Sequence, residues 1–203
     1  MRKSLFALAA VAVLAAPQLA AAQDSGNWLV RVRAVHLDSA NKDNTGLDLT
    51  INNKWLPEVD VSYFFTKNIA AELILTYPQK QTVYAGGAAI GSFKHLPPTL
   101  TAQYHFTELG ALRPYVGAGI NYTNISSVKW DPAVEAALSP NLKRNSWGLA
   151  AQVGADYAIG NGYLLNVDVK KVQIKTDVLS AGAKVGTFKV DPLLVSVGIG
   201  KRF

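Results

Sequence analysis

Charged side chains recur at every second position in several otherwise apolar segments of the sequence. Arg31 and Arg33 form one such pair, and Asp168 and Lys170 form another. A charge removed from water is tolerated when an opposite charge pairs with it. We therefore predict a buried ion-pair network that stabilises the fold, with a proton or ion relay as the alternative chemistry. The predicted members are Arg31, Arg33, Asp60, Glu72, His105, Asp156, Asn166, Asp168 and Lys170, with Glu58 as a further candidate.

Motifs for enzymatic chemistry are missing from the sequence. It contains no Cys, which excludes thiolate metal sites, Cys nucleophiles and a lipoprotein anchor. It contains no G-x-S-x-G or Walker motif, and His36 and His105 lack the spacing of metal ligands. His95 and Ser92 are the one pair considered for catalysis, and chance proximity in a loop is the favoured explanation for them. We predict no enzymatic activity, no cofactor and no metal site.

The charged residues belong to segments in which apolar and polar residues alternate. In residues 193–203, for example, Leu193, Val195, Val197 and Ile199 share one face. A period of two is typical of β-strands, whose successive side chains point to opposite faces. The same alternation predicts eight strands, at residues 28–37, 58–65, 69–77, 99–106, 114–126, 147–159, 163–174 and 193–203.

The connections between these strands alternate in length. Residues 66–68, 107–111 and 160–162 form tight turns, and Asp131 followed by Pro132 predicts a short helix in the third long loop. This arrangement predicts an all-β fold, an eight-stranded antiparallel transmembrane β-barrel of outer-membrane type with short periplasmic turns and long extracellular loops. The long loops are predicted at residues 38–53, 78–97, 127–145 and 178–186.

A soluble β-sandwich or lipocalin-like barrel is the alternative fold, with the apolar strand faces turned inward. The polar faces, however, hold mostly Gly, Ser, Thr, Asn and Gln, whereas a water-facing surface carries more mixed charge. Aromatic residues on the apolar faces also cluster near strand ends, as in the interfacial girdles of a membrane barrel. They are Trp28, Trp55, Tyr63, Phe65, Tyr77, Tyr104, Phe106, Trp147, Tyr157, Tyr163 and Phe203.

The amino-terminal segment is predicted to be a secretory signal peptide. Arg2 and Lys3 precede an apolar run at residues 5–16, and a small-residue cleavage pattern follows. That run is too short to span a bilayer. We predict that residues 1–22 are removed and that residues 23–203 form a single barrel domain. The net charge of +6 then falls to +4, which does not favour nucleic acid as a partner.

The inward faces become apolar toward the long loops. Eight strands leave an interior just wide enough for side chains or for one small ligand. An apolar upper lumen above a polar plug would form a pocket for a small hydrophobic molecule, and simple packing of a narrow barrel is the equal alternative. The apolar inward residues are Val35, Leu37, Leu56, Ile74, Val172, Ile174 and Leu194.

Several stretches resemble the outer membrane protein W (OmpW) family of small barrels. Lys201 departs from the family pattern, which usually has an aromatic residue there, and a lysine at the periplasmic interface can snorkel. The matching stretches are HLPPTL (95–100), PYVGAGINYT (114–123), SWG (146–148), QVGADY (152–157), VDP (190–192) and GKRF (200–203).

The resemblance implies a hydrophobic channel and an integral location in the bacterial outer membrane, reached through the periplasm. It implies that Phe203 is part of the signal that the insertion machinery recognises. We expect passive passage of small hydrophobic solutes with lateral exit into the bilayer, and Pro97–Pro98 is one candidate for weakened strand pairing. Outer-membrane lipid and lipopolysaccharide are the other expected partners. The alternative is a structural or receptor barrel with a filled lumen that acts through its extracellular loops.

Overall fold

The computed structural model describes residues 26–203, and the predicted signal peptide, residues 1–22, lies outside the described residues. Within residues 26–203, no helix is long and apolar enough to cross a membrane. The elements in chain order are β1 (Trp28–Asp38), β2 (Lys42–Asp43), β3 (Leu49–Ile51), β4 (Lys54–Phe64), β5 (Ile69–Leu75), β6 (Gln79–Ala85), β7 (Ala88–Leu96), β8 (Thr99–His105), β9 (Leu112–Trp130), α1 (Pro132–Leu138), β10 (Pro140–Leu142), β11 (Asn145–Gly160), β12 (Tyr163–Val172), β13 (Lys175–Ser180), β14 (Ala183–Lys189) and β15 (Leu193–Arg202).

Eight of these strands close into an antiparallel barrel, which confirms the predicted fold class. Each strand pairs with the next barrel strand along the chain, in the order β1, β4, β5, β8, β9, β11, β12 and β15. The last strand returns to the first, with Leu29 opposite Arg202 and Asp38 opposite Leu193. Two further backbone hydrogen bonds, of 3.0 and 2.9 Å, join Trp28 to Phe203. Closure pairs the first strand with the last, so neither forms a free edge, as a membrane requires.

The outer face of the barrel is apolar and the inner face is polar, because side chains alternate along each strand. On β1, Trp28 and Val32 are exposed, whereas Arg31 and Arg33 are buried in the lumen. Ten of the eleven predicted girdle aromatics are exposed, such as Phe65 near a short turn and Trp147 near a long loop, and Tyr63 is half-buried. The outward-facing apolar band therefore faces lipid.

The long connections are more ordered than the sequence predicted. The second one forms a hairpin of β6 and β7, and the fourth forms a hairpin of β13 and β14. Because β7 pairs with the upper half of β9, the barrel wall continues beyond the eight-stranded part. Strands β10, β13, β14 and β2 form a separate four-stranded sheet on the same side. The predicted helix is confirmed: Asp131 caps α1 and Pro132 is its first residue.

These extracellular sheets enclose an apolar core above the barrel. Phe93 from β7 and Phe188 from β14 are both buried there, together with Ile125 from the upper half of β9. The predicted lumen residues Val172 and Ile174 belong to the same core. The hydrophobic interior is therefore continuous from the upper lumen into the extracellular extension.

A glycine in β11 makes room for the largest aromatic side chain of the lumen. A Cβ atom at Gly154 would collide with the ring of Tyr115, which is fully buried. The Tyr115 hydroxyl donates a hydrogen bond of 2.9 Å to Asp168 Oδ2. Gly154 therefore fixes the position of Tyr115 across the lumen.

We expect Gly154→Val to destabilise the barrel by about 1–3 kcal/mol, the usual cost of overpacking. The measurement is urea-induced unfolding of the barrel refolded in lipid vesicles. Ala151→Val is the matched control, because Ala151 lies on the exposed outer face of the same strand. An equal loss of stability in both variants would contradict the role given to Gly154.

Candidate functional site: the lumen of the barrel

The lower lumen is organised around two neighbouring arginines of β1. Arg31 donates two hydrogen bonds to Asp156, from Nε to Oδ1 at 3.0 Å and from Nη2 to Oδ2 at 2.6 Å. Its Nη1 lies 3.0 Å from Asp60 Oδ1 and 3.1 Å from Glu72 Oε1. Arg31 thus reaches acids on three other strands, β4, β5 and β11. Arg31 is therefore fully bound inside the barrel.

Arg33 uses some of the same carboxylates one step further up the strand. Its Nε donates to Asp60 Oδ2 at 2.6 Å, and its Nη2 lies 2.8 Å from Glu72 Oε1. Its Nη1 lies 3.3 Å from Asp168 Oδ1. Asp60 and Glu72 each bridge both arginines, so the pairs form one network rather than separate salt bridges.

Lys170 ends the network at its upper side. Its ammonium lies 3.1 Å from Glu58 Oε1 and 3.9 Å from Asp168 Oδ1. Glu58 also lies 3.6 Å from Arg33 Nε. The further candidate Glu58 is thus placed within the cluster. All the sequence-predicted plug residues are buried in the lumen.

His105 and Asn166 occupy the periplasmic part of this network. Asn166 Nδ2 donates to Asp156 Oδ1 at 2.8 Å, and His105 Nδ1 lies 4.0 Å from Asp156 Oδ2. The His105 ring also stacks on Tyr115, with 4.9 Å between ring centroids. Asn166 and His105 therefore position Asp156, and His105 also positions Tyr115; both Asp156 and Tyr115 contact Arg31. Within residues 26–203, no group of three or more His, Cys, Asp or Glu side chains is arranged to hold a metal ion.

Two important lumen residues were not among the predicted site residues. Tyr115 packs between Arg31, 5.3 Å from its ring centroid, and Asp168. Gln152 donates from Nε2 to Glu72 Oε2 at 2.8 Å. Strand parity places both side chains inward, so the signal was present in the sequence. The sequence did not show that their polar groups would contact the charged residues of the network.

The upper lumen contains a small cavity of about 30 Å³. Six of the seven predicted apolar residues line it, and the seventh, Val35, is buried beside Leu37 and Leu56. Glu58 and Lys170 also line the cavity, which therefore borders the ion-pair network. The complete lining is Leu37, Leu56, Glu58, Ile74, Thr76, Gln79, His95, Pro97, Thr99, Lys170, Val172, Ile174, Pro192 and Leu194.

His95 lines this cavity and does not form a catalytic pair with Ser92. The two residues are three positions apart on β7, so their side chains face opposite sides of the strand. His95 Nε2 lies 3.4 Å from Gln81 Nε2, and its ring packs against Phe93. The buried ring is therefore part of the lumen wall.

The barrel wall beside the cavity is interrupted between β4 and the start of β6. The β4–β5 pairing stops at Val59 opposite Leu75. Among the described residues, no backbone hydrogen bond joins residues 54–58 to residues 76–80. Two side-chain bonds close the gap instead, Thr76 Oγ1 to Pro57 O at 2.8 Å and Lys54 Nζ to Lys80 O at 3.1 Å. We call this stretch the β4–β6 seam.

The neighbouring wall at Pro97–Pro98 is held more firmly. Asn121 Nδ2 donates to the carbonyl oxygens of both prolines, at 3.2 and 3.1 Å. The backbone amide of Tyr122 also donates to Pro98 O at 3.1 Å. Although neither proline offers an N–H group, β9 therefore remains bound to this junction of β7 and β8.

The closed barrel, its lipid-facing apolar band and its polar filled lumen define an integral outer-membrane β-barrel protein. The OmpW family model matches residues 24–203, and the chain belongs to the OmpW family. The family resemblance inferred from the sequence is thus confirmed.

The chain is also similar to three individual proteins. The chain is 41% identical over 212 residues to the uncharacterized outer-membrane protein y4mB of Sinorhizobium fredii, covering 96% of this chain and 90% of that protein. It is 33% identical over 120 residues to the dibenzothiophene metabolism operon protein PahQ of Pseudomonas aeruginosa, covering 58% and 54%. The crystal structure of OprG from P. aeruginosa matches with a TM-score of 0.76 at 26% identity, covering 88% and 96%.

We expect Lys170→Met to destabilise the barrel by about 3–5 kcal/mol, because it leaves the buried carboxylate of Glu58 without its closest cation. Adding Glu58→Gln should recover part of that loss. Unfolding in urea would measure the stability of both variants against the parent protein. Lys67→Met is the control, since Lys67 and Glu108 form an exposed pair that contributes at most about 1 kcal/mol. A double variant less stable than Lys170→Met would contradict the pairing.

Proposed function

We propose that this barrel gives small hydrophobic molecules a passive path across the outer part of the membrane. The solute enters the upper lumen from the extracellular side and leaves sideways into the bilayer. The observation that carries the proposal is an apolar cavity that adjoins both a charged plug and an interrupted stretch of wall. No energy source is encoded, so flux runs down the concentration gradient.

The plug supports a lateral rather than a straight exit. A hydrophobic solute gains nothing from the lower lumen, where each arginine contacts several carboxylates. Moving it through would separate buried ion pairs, and an unpaired buried charge costs several kcal/mol. The apolar bilayer next to the upper lumen is the more favourable destination.

The β4–β6 seam is the part of the wall through which the solute would leave. Leu56 and Glu58 line the cavity on one side of the seam, and Ile74, Thr76 and Gln79 line it on the other. Separating the seam breaks two side-chain hydrogen bonds and no backbone ladder. Pro97–Pro98, which adjoins the same cavity, stays a second predicted exit that requires more bonds to break.

The solute must widen the cavity in order to pass. The present volume of about 30 Å³ holds little more than water, whereas an engineered cavity of about 150 Å³ accepts benzene. Six of the fourteen lining side chains are aliphatic and can change rotamer without losing hydrogen bonds. The name of PahQ refers to dibenzothiophene metabolism, which fits an apolar aromatic class of solute.

A structural or receptor barrel remains the second candidate, and the small cavity favours it. The extracellular extension has its own buried apolar core and a folded four-stranded sheet. These would present a rigid loop surface to a partner without any flux through the lumen.

Uptake into liposomes should separate the two candidates. We expect liposomes carrying the refolded barrel to take up a small aromatic probe faster than empty liposomes. Ile74→Lys should abolish that excess rate, because it places a charge in the apolar cavity. Ile74→Leu is the volume-conserving control and should retain the rate. Uptake no faster than through bare lipid would favour the structural or receptor role.

A reversible cross-link can test the seam directly, because the chain has no native Cys. Extending the register of β4 and β5 places Pro57 opposite Tyr77, and both side chains are exposed on the outer face. We expect Pro57→Cys/Tyr77→Cys, joined by a short disulfide-containing cross-linker, to slow uptake until a reductant is added. The control pair is Tyr63→Cys/Ala71→Cys, which joins positions that are already paired. If the cross-linked variant took up the probe at an unchanged rate, the β4–β6 seam would not be the exit.

A further inference from the structure

Three lysines lie side by side on the outer surface of the extracellular extension. Lys175 on β13 is directly opposite Lys189 on β14, and Lys189 is directly opposite Lys42 on β2. All three side chains are exposed. Directly opposed residues have Cβ atoms about 4.5–5.5 Å apart, and like charges in such positions destabilise a sheet. We call this row the lysine ladder.

The ladder has no internal counter-charge. Within residues 26–203, none of its three ammonium groups lies within 4.0 Å of a carboxylate. The nearest acids along the same strands and turns are engaged elsewhere. Asp43 accepts hydrogen bonds from the backbone amides of Thr45 and Leu49, at 3.0 and 3.1 Å.

Two other acids near the ladder are engaged as well. Asp191 Oδ1 accepts from the backbone amide of Ile174 at 2.8 Å. Asp177 lies 2.7 Å from Lys184 Nζ, and the hydrogen bond from Lys184 lowers the pKa of its carboxyl. The positive charge of the ladder is therefore available to an external anion.

The position of the ladder identifies the kind of anion. The backbone amide of Lys175 donates to Ser146 Oγ at 3.1 Å, one residue before Trp147. Trp147 is 66% exposed on the lipid-facing side and marks the outer interfacial girdle. The ladder therefore begins at headgroup height and faces outward. The outer leaflet at that height is occupied by lipopolysaccharide, whose lipid A portion bears phosphate groups.

We propose that Lys42, Lys175 and Lys189 form a binding site for the phosphate groups of lipopolysaccharide. A dianionic phosphate placed between adjacent ammonium groups replaces their repulsion with charge-assisted hydrogen bonds. The site lies outside the barrel wall, so it goes beyond the proposed conduit and does not depend on it. Bound lipid would hold the extracellular sheet against the membrane surface.

The test measures binding of purified lipopolysaccharide to the refolded barrel in phosphatidylcholine nanodiscs. One basic residue near a charged surface contributes about a five-fold change in affinity. We expect Lys189→Gln to weaken binding by about five-fold, and the triple variant Lys42→Gln/Lys175→Gln/Lys189→Gln by more than about tenfold. Lys184→Gln is the matched control on the same strand, since its charge is already paired with Asp177.

Two further probes identify the source of the phosphate. Dephosphorylated lipopolysaccharide should bind the parent protein and Lys189→Gln equally weakly, and inorganic phosphate should compete only at far higher concentration. The proposal is overturned by equal losses in Lys189→Gln and Lys184→Gln, by undiminished binding of the dephosphorylated lipid, or by inorganic phosphate that competes as well as the lipid.

Folding is checked on the same samples without lipopolysaccharide. Lys189→Gln removes like-charge repulsion, so its stability in urea should equal or exceed that of the parent. Lys189→Arg keeps the charge and should keep the affinity. Loss of affinity in Lys189→Arg equal to that in Lys189→Gln would also overturn the proposal, because it would attribute the effect to shape rather than charge.

Discussion

The rest of the structure depends on the ion pairs that Arg31 and Arg33 make inside the barrel. Two guanidinium groups in a closed lumen need acids within hydrogen-bond distance, and β4, β5, β11 and β12 supply them. Each of those acids is fixed by the register of its own strand. The network therefore ties together strands that are not neighbours in the barrel wall. It also divides the interior into a polar plug and an apolar space above it.

The upper wall of the barrel is held together by fewer hydrogen bonds than the lower wall. The lower wall has continuous backbone ladders and a cross-linked interior. The upper wall has an apolar interior and the β4–β6 seam, where two side-chain bonds replace the ladder. A barrel wall opens where the fewest bonds have to break. A fixed plug beneath a loosely closed wall is thus the physical basis of the lateral passage that we propose.

The outer surface follows a related separation of charge. Apolar side chains cover the membrane band, and the lysine ladder lies just above the outer aromatic girdle. Burial forces the lumen charges to be paired, whereas the exposed ladder lysines tolerate repulsion because water solvates them. A charged lipid surface is the environment in which such unpaired lysines would be stabilised.

The sequence by itself determined the barrel strands and which side chains face inward. Alternating side chains can face only the lumen or the lipid, so the sequence alone assigned Arg31 and Ile74 to the lumen. It did not predict the extracellular strands: β2, β3 and β10 are two or three residues long and too short to show a periodicity, and the longer β6, β7, β13 and β14 fell largely within predicted long loops. It also did not place Tyr115 at the centre of the plug.

Only the tertiary structure decided which residues meet across the barrel and along its extension. The pairing of Lys170 with Glu58 depends on the tilt and register of β12 and β4, which lie far apart in the chain. The row of Lys42, Lys189 and Lys175 likewise depends on the register of three strands. The extent of the β4–β6 seam depends on strand pairing, although Pro57 and Pro78, which have no backbone N–H group, mark its two sides in the sequence. The strand face that a side chain occupies is a local property and can be inferred from sequence. The register between strands, by contrast, is set by closure of the whole barrel.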